Sequence, residues 1–359
     1  MILRYDPTIE QPEADESAAI DGIIKGMTQQ SETVEKRDGR AVRASHAKST
    51  ACAIGELTIA PGLPAELAQG LFAEAGTYPA AVRFAQGPGE RLGDRVSTHR
   101  GMAIKLFGVV GEKLPGHAAD TQDFVLATGT TFPSGTAQGF LRDGTVIGKA
   151  TGLPEGLKSA VSATARGFNR VLHAFGGESA LADFFGHPFS HPLSESYFSQ
   201  APLRFGDYVA KLAVVPVAPA QLGLVDWRLD PQEDEDGFGH AAVAFFRSHE
   251  AVFEIKAQLW SDAEKQPIED ASVDWPVSIS PYQTIATLRL PMQDAGSDER
   301  RRFFDEVMSF SPAHALATHR PLGSVMRARL RVYGALSAFR HAETGTPAEE
   351  PNGLDAIPA

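Results

Sequence analysis

The sequence predicts an α+β protein, namely a closed antiparallel barrel of about eight strands with helices inserted halfway along the chain and appended at its end. The 359 residues, 43% of them hydrophobic, suffice for a large core. Short apolar or alternating segments, separated by turns rich in Gly and Pro, occur on both sides of a helical middle region. The chain then continues into helix-forming segments.

The first half of the chain begins with an amphipathic helix at about residues 13–36. Its apolar residues follow the i, i+3, i+4, i+7 spacing at Ile20, Ile23, Ile24 and Met27. Strands are then predicted at residues 53–60, 78–85, 101–109 and 123–129. Residues 134–206 form a helical insertion, with helices at 157–175 and 178–185.

Strands return in the second half, at residues 207–217, 240–250, 252–260 and 282–291. Ser297 is a predicted N-cap for a helix at 298–308, and a last helix covers 327–341. Residues 1–342 are therefore expected to form a single domain. The remainder, residues 343–359, is rich in Pro, Glu and Gly and is predicted to be a disordered tail.

Composition excludes several classes of function. A single cysteine, Cys52, rules out an internal disulfide framework. The formal net charge of −12 disfavours nucleic acid and anionic lipid as partners. The sequence contains neither a secretory signal nor an apolar run of about 20 residues, so we expect a cytoplasmic protein without a membrane span.

The last predicted helix places a tyrosine between two arginines. Arg329 precedes Tyr333 by one turn and Arg340 follows it by two, so the three side chains share a face. A tyrosine hydroxyl, with an ordinary pKa of about 10, needs a nearby positive charge to persist as phenolate. Such a phenolate could ligate a ferric haem, with a guanidinium on a propionate.

A second motif, Arg43-x-x-His46, stands just before the first predicted strand. Downstream follow AAVRFAQGPGE with Arg83, HRGMAIKLFG, and TQDFVLATGTTFP. Together with R-x-x-x-Y-x-x-x-x-x-x-R at 329–340, these motifs resemble the haem catalase superfamily in order and separation. The resemblance extends from Arg43 to Arg340 and is to the small catalase-related, peroxidase-like proteins of bacteria.

The resemblance implies a catalase-like barrel that binds haem b with ferric iron. Tyr333 matches the axial ligand of the haem iron, and Arg329 matches the arginine on its phenolate. Arg43, Arg83 and Arg340 match the arginines that meet the haem propionates.

On the distal face of the haem, His46 matches the histidine that takes a proton from bound peroxide and returns it to the leaving oxygen, so that a ferryl haem remains. Phe124 and Phe132 match aromatic residues lining this face. Ser45 adds a hydroxyl beside His46, as in catalase-related allene oxide synthases. The predicted catalytic residues are therefore His46, Ser45 and Arg329.

Three positions depart from true catalases. Ala119 and Asp120 occupy the place of the distal asparagine, Ala85 replaces a serine that supports the distal histidine, and Thr98 replaces an aspartate of the peroxide channel. Loss of the asparagine should weaken disproportionation of hydrogen peroxide. It need not prevent peroxidase turnover.

The resemblance therefore implies a haem peroxidase that reduces organic hydroperoxides or hydrogen peroxide with a small organic electron donor, with weak catalase activity at most. Two alternatives stay open: rearrangement of a fatty-acid hydroperoxide, as in allene oxide synthases, and a haem-binding protein without turnover. The family also suggests a homo-dimer or homo-tetramer.

The remaining polar residues are given structural interpretations. His187 and His191 are expected in a loop without the carboxylates of a metal site. The aromatic stretch 194–211 is expected to pack in the core. Solvated positions are predicted for Lys105, Lys211, Arg327, Arg331 and His341.

Overall fold

The computed structural model describes residues 1–174 and 179–359, and within them all side chains except those of Val146, Ile147, Lys149, Ala150 and His173. The predicted junction between the inserted helices, at 175–178, lies outside the described residues. The strands are β1 Ser49–Ile59, β2 Thr77–Gln86, β3 Arg100–Phe107, β4 Thr121–Ala127, β5 Tyr197–Phe198, β6 Leu203–Phe205, β7 Tyr208–Pro216, β8 Ala251–Leu259 and β9 Gln283–Leu290. The α-helices are α1 Glu16–Asp38, α2 Ala137–Thr151, α3 Glu155–Ala174, α4 Ala180–Phe185, α5 Pro219–Leu222, α6 Gly237–Ser248, α7 Asp298–Arg302 and α8 Ser324–Thr344.

Eight of the strands form a closed antiparallel barrel in the order β5-β4-β3-β2-β1-β9-β8-β7. The ring closes at β5, where Phe198 pairs with Ala127 of β4 on one side and with Ala213 of β7 on the other. Strand β6 adds a short hairpin to β7. Alternate side chains of the strands fill the interior, as in Phe253, Ile255 and Ala257 of β8. The predicted eight-stranded barrel is thus confirmed.

One predicted strand is wrong. Residues 240–250 lie mostly in helix α6, whose buried residues Ala242, Val243, Phe245 and Phe246 recur at helical spacing. The segment is apolar almost throughout, so its periodicity does not distinguish a buried strand from a buried helix. The missing barrel strand is β5, which spans two residues within the stretch 194–211.

The long helices pack together beside the barrel. Ile20 and Ile23 of α1 contact Ala137 of α2 and Val332 of α8 in one apolar cluster. Arg327, expected in solvent, instead forms ion pairs with three carboxylates and ties α8 to the N-terminal segment. The correction has a physical reason, because the partner carboxylates Glu10, Glu16 and Glu269 come from distant parts of the chain. None of the described helices is long and apolar enough to cross a bilayer.

Two strand lysines are also buried rather than solvated. The Lys105 ammonium lies 2.8 Å from an Asp123 carboxylate oxygen, and both side chains are fully buried. Lys211 lies 5.1 Å from the Trp275 ring centroid and donates to the Val273 carbonyl at 3.2 Å. Burial lowers the pKa of Lys211 to about 8. Cross-strand and loop partners that the local sequence does not reveal explain both corrections.

The segment after α8 differs from the predicted disordered tail. Glu350 accepts from Lys105 and from Thr121 Oγ1, and Ile357 is buried against the cluster of Phe304 and Met308. The segment's low hydrophobicity predicted disorder, but a few anchoring contacts hold it to the barrel.

Candidate functional site

Helix α8 presents the predicted tyrosine and its arginine on one face. The Arg329 Nη2 atom donates to Tyr333 Oη at 3.0 Å, and the guanidinium carbon lies 5.4 Å from the Tyr333 ring centroid. Both side chains are partly buried and line a cavity. The i, i+4 pairing predicted from the sequence is therefore present in the structure.

His46 lies in the loop before β1, with a left-handed backbone φ of 55°. The Gln86 carbonyl lies 3.1 Å from His46 Nδ1. Because a carbonyl only accepts, Nδ1 carries the hydrogen and Nε2 keeps a free lone pair. A methyl on Gly101 would come within 2.6 Å of the imidazole, so glycine at that position makes room for the ring.

The His46 imidazole is held in its neutral form. Burial lowers its pKa well below 6.5, and the positive or ionisable groups of His99, Arg83 and Arg329 lower it further. A neutral imidazole with a free Nε2 is a proton acceptor across the neutral pH range.

His46 and Tyr333 line the same space. An inner cavity of about 240 Å³ is bordered by His46, Arg329 and Tyr333. A second space of about 570 Å³, which we call the arginine cleft, is bordered by Arg43, Tyr333 and Arg340. The two adjoin each other, because they share the lining residues Met27, Ala44, Ser45, Val332 and Tyr333. The arginine cleft lies within the range of about 300–1,000 Å³ typical of small-molecule and cofactor sites.

Three arginines from separate elements converge near the cleft: Arg43, Arg83 and Arg340, here called the arginine cluster. Arg43 donates to the carbonyls of Phe304 and Met308 at 2.6 and 2.7 Å, around a π-helical turn that follows α7. Arg340 donates to two carbonyls of the same turn, at 3.0 and 2.7 Å.

Asp305 neutralises part of this charge. Its carboxylate accepts from Arg83 Nε at 2.8 Å and from Ser49 Oγ at 3.0 Å, and it is buried. Among the residues that the structure describes, Asp305 is the one carboxylate within ion-pair distance of the cluster. Sequence reasoning missed Asp305, since nothing in the local pattern FFDEV marks it as a partner of a strand arginine.

The arginine cluster carries more positive charge than its one neighbouring carboxylate balances. Burial and the charges of its two neighbours lower the pKa of Arg43 far below its usual value, and burial and Arg83 lower that of Arg340 to about 10. The Arg43 Nε–H is buried without a hydrogen-bond partner. An orphaned donor among three guanidiniums and one carboxylate fits a ligand with two negative groups, such as the two propionates of haem.

The two predicted distal aromatic residues have different positions. Phe132 borders the inner cavity and packs edge-on to Phe140, with ring centroids 5.3 Å apart. Phe124 points into the barrel core and stacks on Phe72 at 6.3 Å. Its neighbour Val125 borders the inner cavity instead. The prediction for Phe124 as a pocket residue is therefore not matched by its position.

The other residues predicted for the distal face of the haem lie in different places. Ser45 is exposed at the junction of the two spaces and donates from Oγ to the Gly87 carbonyl at 3.2 Å. Thr98 borders the inner cavity and Ala119 the arginine cleft, while Ala85 is buried in β2. Beyond the predicted residues, His99 also borders the inner cavity.

His187 lies in a buried ion-pair network rather than a plain loop. Its Nδ1 is 2.7 Å from Asp183, and its Nε2 is 3.1 Å from Glu195. The expectation that carboxylates do not cluster here is thus wrong, because α4 and the following loop fold back on each other. The two carboxylates raise the pKa of His187 to about 9 against the effect of burial. The resulting stabilisation is complete below about pH 6.5 and is lost as the pH rises through about 9.

His191 and the other predicted solvent groups have local roles. His191 Nδ1 accepts from the Leu193 backbone N–H at 3.2 Å, at the start of a short 3₁₀ turn. His341 Nδ1 donates to the Thr346 carbonyl at 2.7 Å, and its Nε2 accepts from Arg340 at 3.0 Å, so this histidine is half-buried rather than solvated. Arg331 is exposed and pairs with Asp21, as its surface position predicts.

Comparison with known proteins shows similarity in structure but not in sequence. No protein-family model matches the chain, and no curated protein sequence matches it. A fungal catalase is similar at 16% identity with a TM-score of 0.59 over 86% of this chain and 61% of its own. Catalase A from Saccharomyces cerevisiae is similar at 15% with a TM-score of 0.58, over 88% and 65% of the two chains. A bacterial catalase is similar at 14% with a TM-score of 0.55, over 86% and 60%. The chain spans less than two thirds of each of these proteins, and what it shares with them is the catalase fold.

Proposed function

We propose that the protein is a haem-dependent peroxidase that uses a small organic electron donor to reduce organic hydroperoxides. Hydrogen peroxide is a second, less favoured substrate. The observation that carries the proposal is that a neutral imidazole, an arginine-paired tyrosine and an arginine cluster with excess positive charge lie around two adjoining cavities that share Tyr333 in their lining. Haem b with ferric iron would fit this set of donors: Tyr333 would bind the iron, and Arg43, Arg83 and Arg340 would hold the propionates. When bound, the haem supplies the redox-active iron that accepts the oxidising equivalents of the peroxide.

The chain's own residues then handle the proton. His46 Nε2 takes the proton of the hydroperoxide ROO–H and returns it to the departing RO oxygen, which leaves as ROH. The hydrogen bond from Nδ1 to the Gln86 carbonyl keeps Nε2 as the acceptor. Arg329 holds the Tyr333 oxygen in place by its hydrogen bond, and Ser45, next to His46 in sequence, borders both spaces.

The inner cavity favours organic peroxides over hydrogen peroxide. Its walls carry many apolar side chains, including those of Val96, Val125, Phe132, Phe140 and Val161. Such a lining would bind an alkyl or aryl group by removing it from water, at about 25 cal/mol per Å² of apolar area. A second hydrogen peroxide gains nothing from these walls.

The first test is the visible spectrum of the purified full-length protein. We expect a ferric, phenolate-ligated haem spectrum that Tyr333→Phe abolishes. Tyr78→Phe serves as a matched control, because Tyr78 lies on β2 outside both spaces. A protein that stays colourless after haem supplementation would refute the proposal.

The second test separates the proposed peroxidase from its two alternatives. His46→Ala should lower the rate of dye oxidation by cumene hydroperoxide by about 10²–10⁴-fold. The exposed His249 provides the control variant His249→Ala. A haem-loaded protein indifferent to His46→Ala would be a binding protein. Consumption of a lipid hydroperoxide without an added donor would indicate rearrangement.

A further inference from the structure

A second histidine stands in the wall of the inner cavity. The His99 ring lies 5.3 Å from that of His46, nearly edge-on at 74°. On its other side it stacks on Phe184 at 4.2 Å and 17°. A methyl on Gly87 would come within 2.3 Å of the His99 ring, so glycine at this position makes room for it, as Gly101 does for His46.

His99 also borders a separate polar pocket. This pocket measures about 320 Å³ and is lined by hydroxyl, carboxylate and backbone groups, among them Thr128, Thr130, Asp183 and Asp274. The residues that border both the polar pocket and the inner cavity are His99, Phe132, Phe184 and Gln200. Of these four, His99 alone has a side chain that can take up a proton on one nitrogen and release one from another.

Peroxidase turnover requires such a route. The overall reduction, ROOH + 2 e⁻ + 2 H⁺ → ROH + H₂O, consumes two protons with its two electrons. An electron donor that carries no proton leaves both protons to be supplied from water through the protein. The walls of the inner cavity are largely apolar, so a polar group in the wall gives protons a path across it.

We infer that His99 passes protons between the polar pocket and His46. It therefore acts on the reaction through His46, as a positioning residue. This inference rests on the proposed peroxidase function, because that reaction consumes the protons. The position of His99 between His46 and the polar pocket does not depend on that function. Uptake of a proton from water on one ring nitrogen and release of the proton from the other leaves a neutral ring in the other tautomer, and a flip of the ring restores the first tautomer before the next transfer. Charge and atoms balance at every turnover, and no oxidant is required.

The charges around His99 suit this exchange. The groups that face it are His46 across the cavity wall and Asp183 and His187 from α4 and the loop after it. Burial lowers the pKa of His99 to about 4, so two neutral imidazoles stand side by side without repulsion. The contact from His99 Nδ1 to the Phe184 carbonyl is long, at 3.4 Å, and holds the ring proton weakly.

The first experiment follows the His46 ring by NMR in the full-length chain prepared without haem and labelled with ¹⁵N-histidine. His99→Phe keeps the ring contacts but cannot carry a proton, and His99→Gln provides a second variant if the first does not fold. We expect exchange of the His46 ring proton with water to slow by at least about tenfold in both, with the His46 tautomer unchanged. Thr58→Val, on an exposed position of β1 outside the polar pocket and the inner cavity, should exchange at the wild-type rate. An unchanged rate in the His99 variants would overturn the inference.

The second experiment compares two electron donors in the haem-loaded protein. Ferrocyanide gives an electron without a proton, whereas hydroquinone brings a proton with each electron. His99→Phe should lose most of its turnover with ferrocyanide and keep most of it with hydroquinone. Equal losses with both donors would reduce His99 to a structural role and overturn the inference. If wild-type protein shows no turnover with either donor, the proposed function fails, and the NMR exchange rate still decides the role of His99.

Discussion

Asp305→Asn tests whether the arginine cluster is built for a dianionic ligand. The substitution keeps the shape of the side chain but removes the carboxylate that pairs with Arg83 at 2.8 Å. Three guanidiniums then lie together without a compensating charge. Removing one partner of a buried ion pair costs about 3–5 kcal/mol, because the remaining charge stays buried and unpaired.

The size of the effect on thermal unfolding follows from the chain length. An unfolding entropy of about 2.1 cal/mol/K per residue gives about 0.75 kcal/mol/K for the 359 residues. One kcal/mol then shifts Tm by about 1.3 °C, so we expect Asp305→Asn to lower the Tm of the haem-free protein by about 4–7 °C. Two propionates would restore negative charge to the cluster, so the loss in the haem-loaded protein should be less than half as large.

Calorimetry or tryptophan fluorescence on both forms provides the assay. Ser49→Ala is the matched control, because Ser49 donates to the same carboxylate without carrying charge. Its cost, about 1.5 kcal/mol, should be the same with and without haem. Equal losses for Asp305→Asn in the two forms would refute the reasoning that haem neutralises the cluster.

Three further predictions concern other parts of the molecule. His187→Asn should destabilise by about 3 kcal/mol at pH 6 and progressively less as the pH rises through 9, measured by urea unfolding at each pH. Lys105→Met removes the ammonium that pairs with the buried Asp123 carboxylate, so it should cost about 4 kcal/mol in the same assay, and adding Asp123→Asn should recover more than half of that loss. Gly101→Ala should displace the His46 imidazole and, under the proposed function, lower peroxidase turnover by about 100-fold with the haem spectrum retained, whereas Gly26→Ala, in open space, should leave turnover unchanged.

The sequence predicts those features that depend on local spacing. The pairing of Arg329 with Tyr333 follows from the i, i+4 geometry of a helix, and the structure contains it. The barrel follows from short segments with period-two alternation, which is strong in β8. Strand β5 is too short to carry any such pattern, and helix α6 is too uniformly apolar to be distinguished from a strand.

The sequence does not predict features that depend on where distant segments meet. Neighbouring side chains of β4 point to opposite faces of the sheet. Val125 borders the inner cavity, and Phe124 therefore points into the barrel core. A shift of one residue in an assumed register exchanges the two faces of a strand, so a motif match alone does not settle it. Asp305 reaches Arg83 across 222 positions of sequence, and no local pattern records that contact.

The polar and the apolar groups that line the inner cavity are both consistent with the proposed function. Disproportionation of two hydrogen peroxide molecules brings its own protons and benefits from amide and carboxylate groups that orient a small polar substrate. Among the described residues that border the inner cavity, Thr98 offers a hydroxyl in place of a charged group. Reduction by a donor that carries no proton instead needs protons from water and tolerates an apolar substrate. His99 and Val125, which both border the inner cavity, meet those two needs under the proposed function.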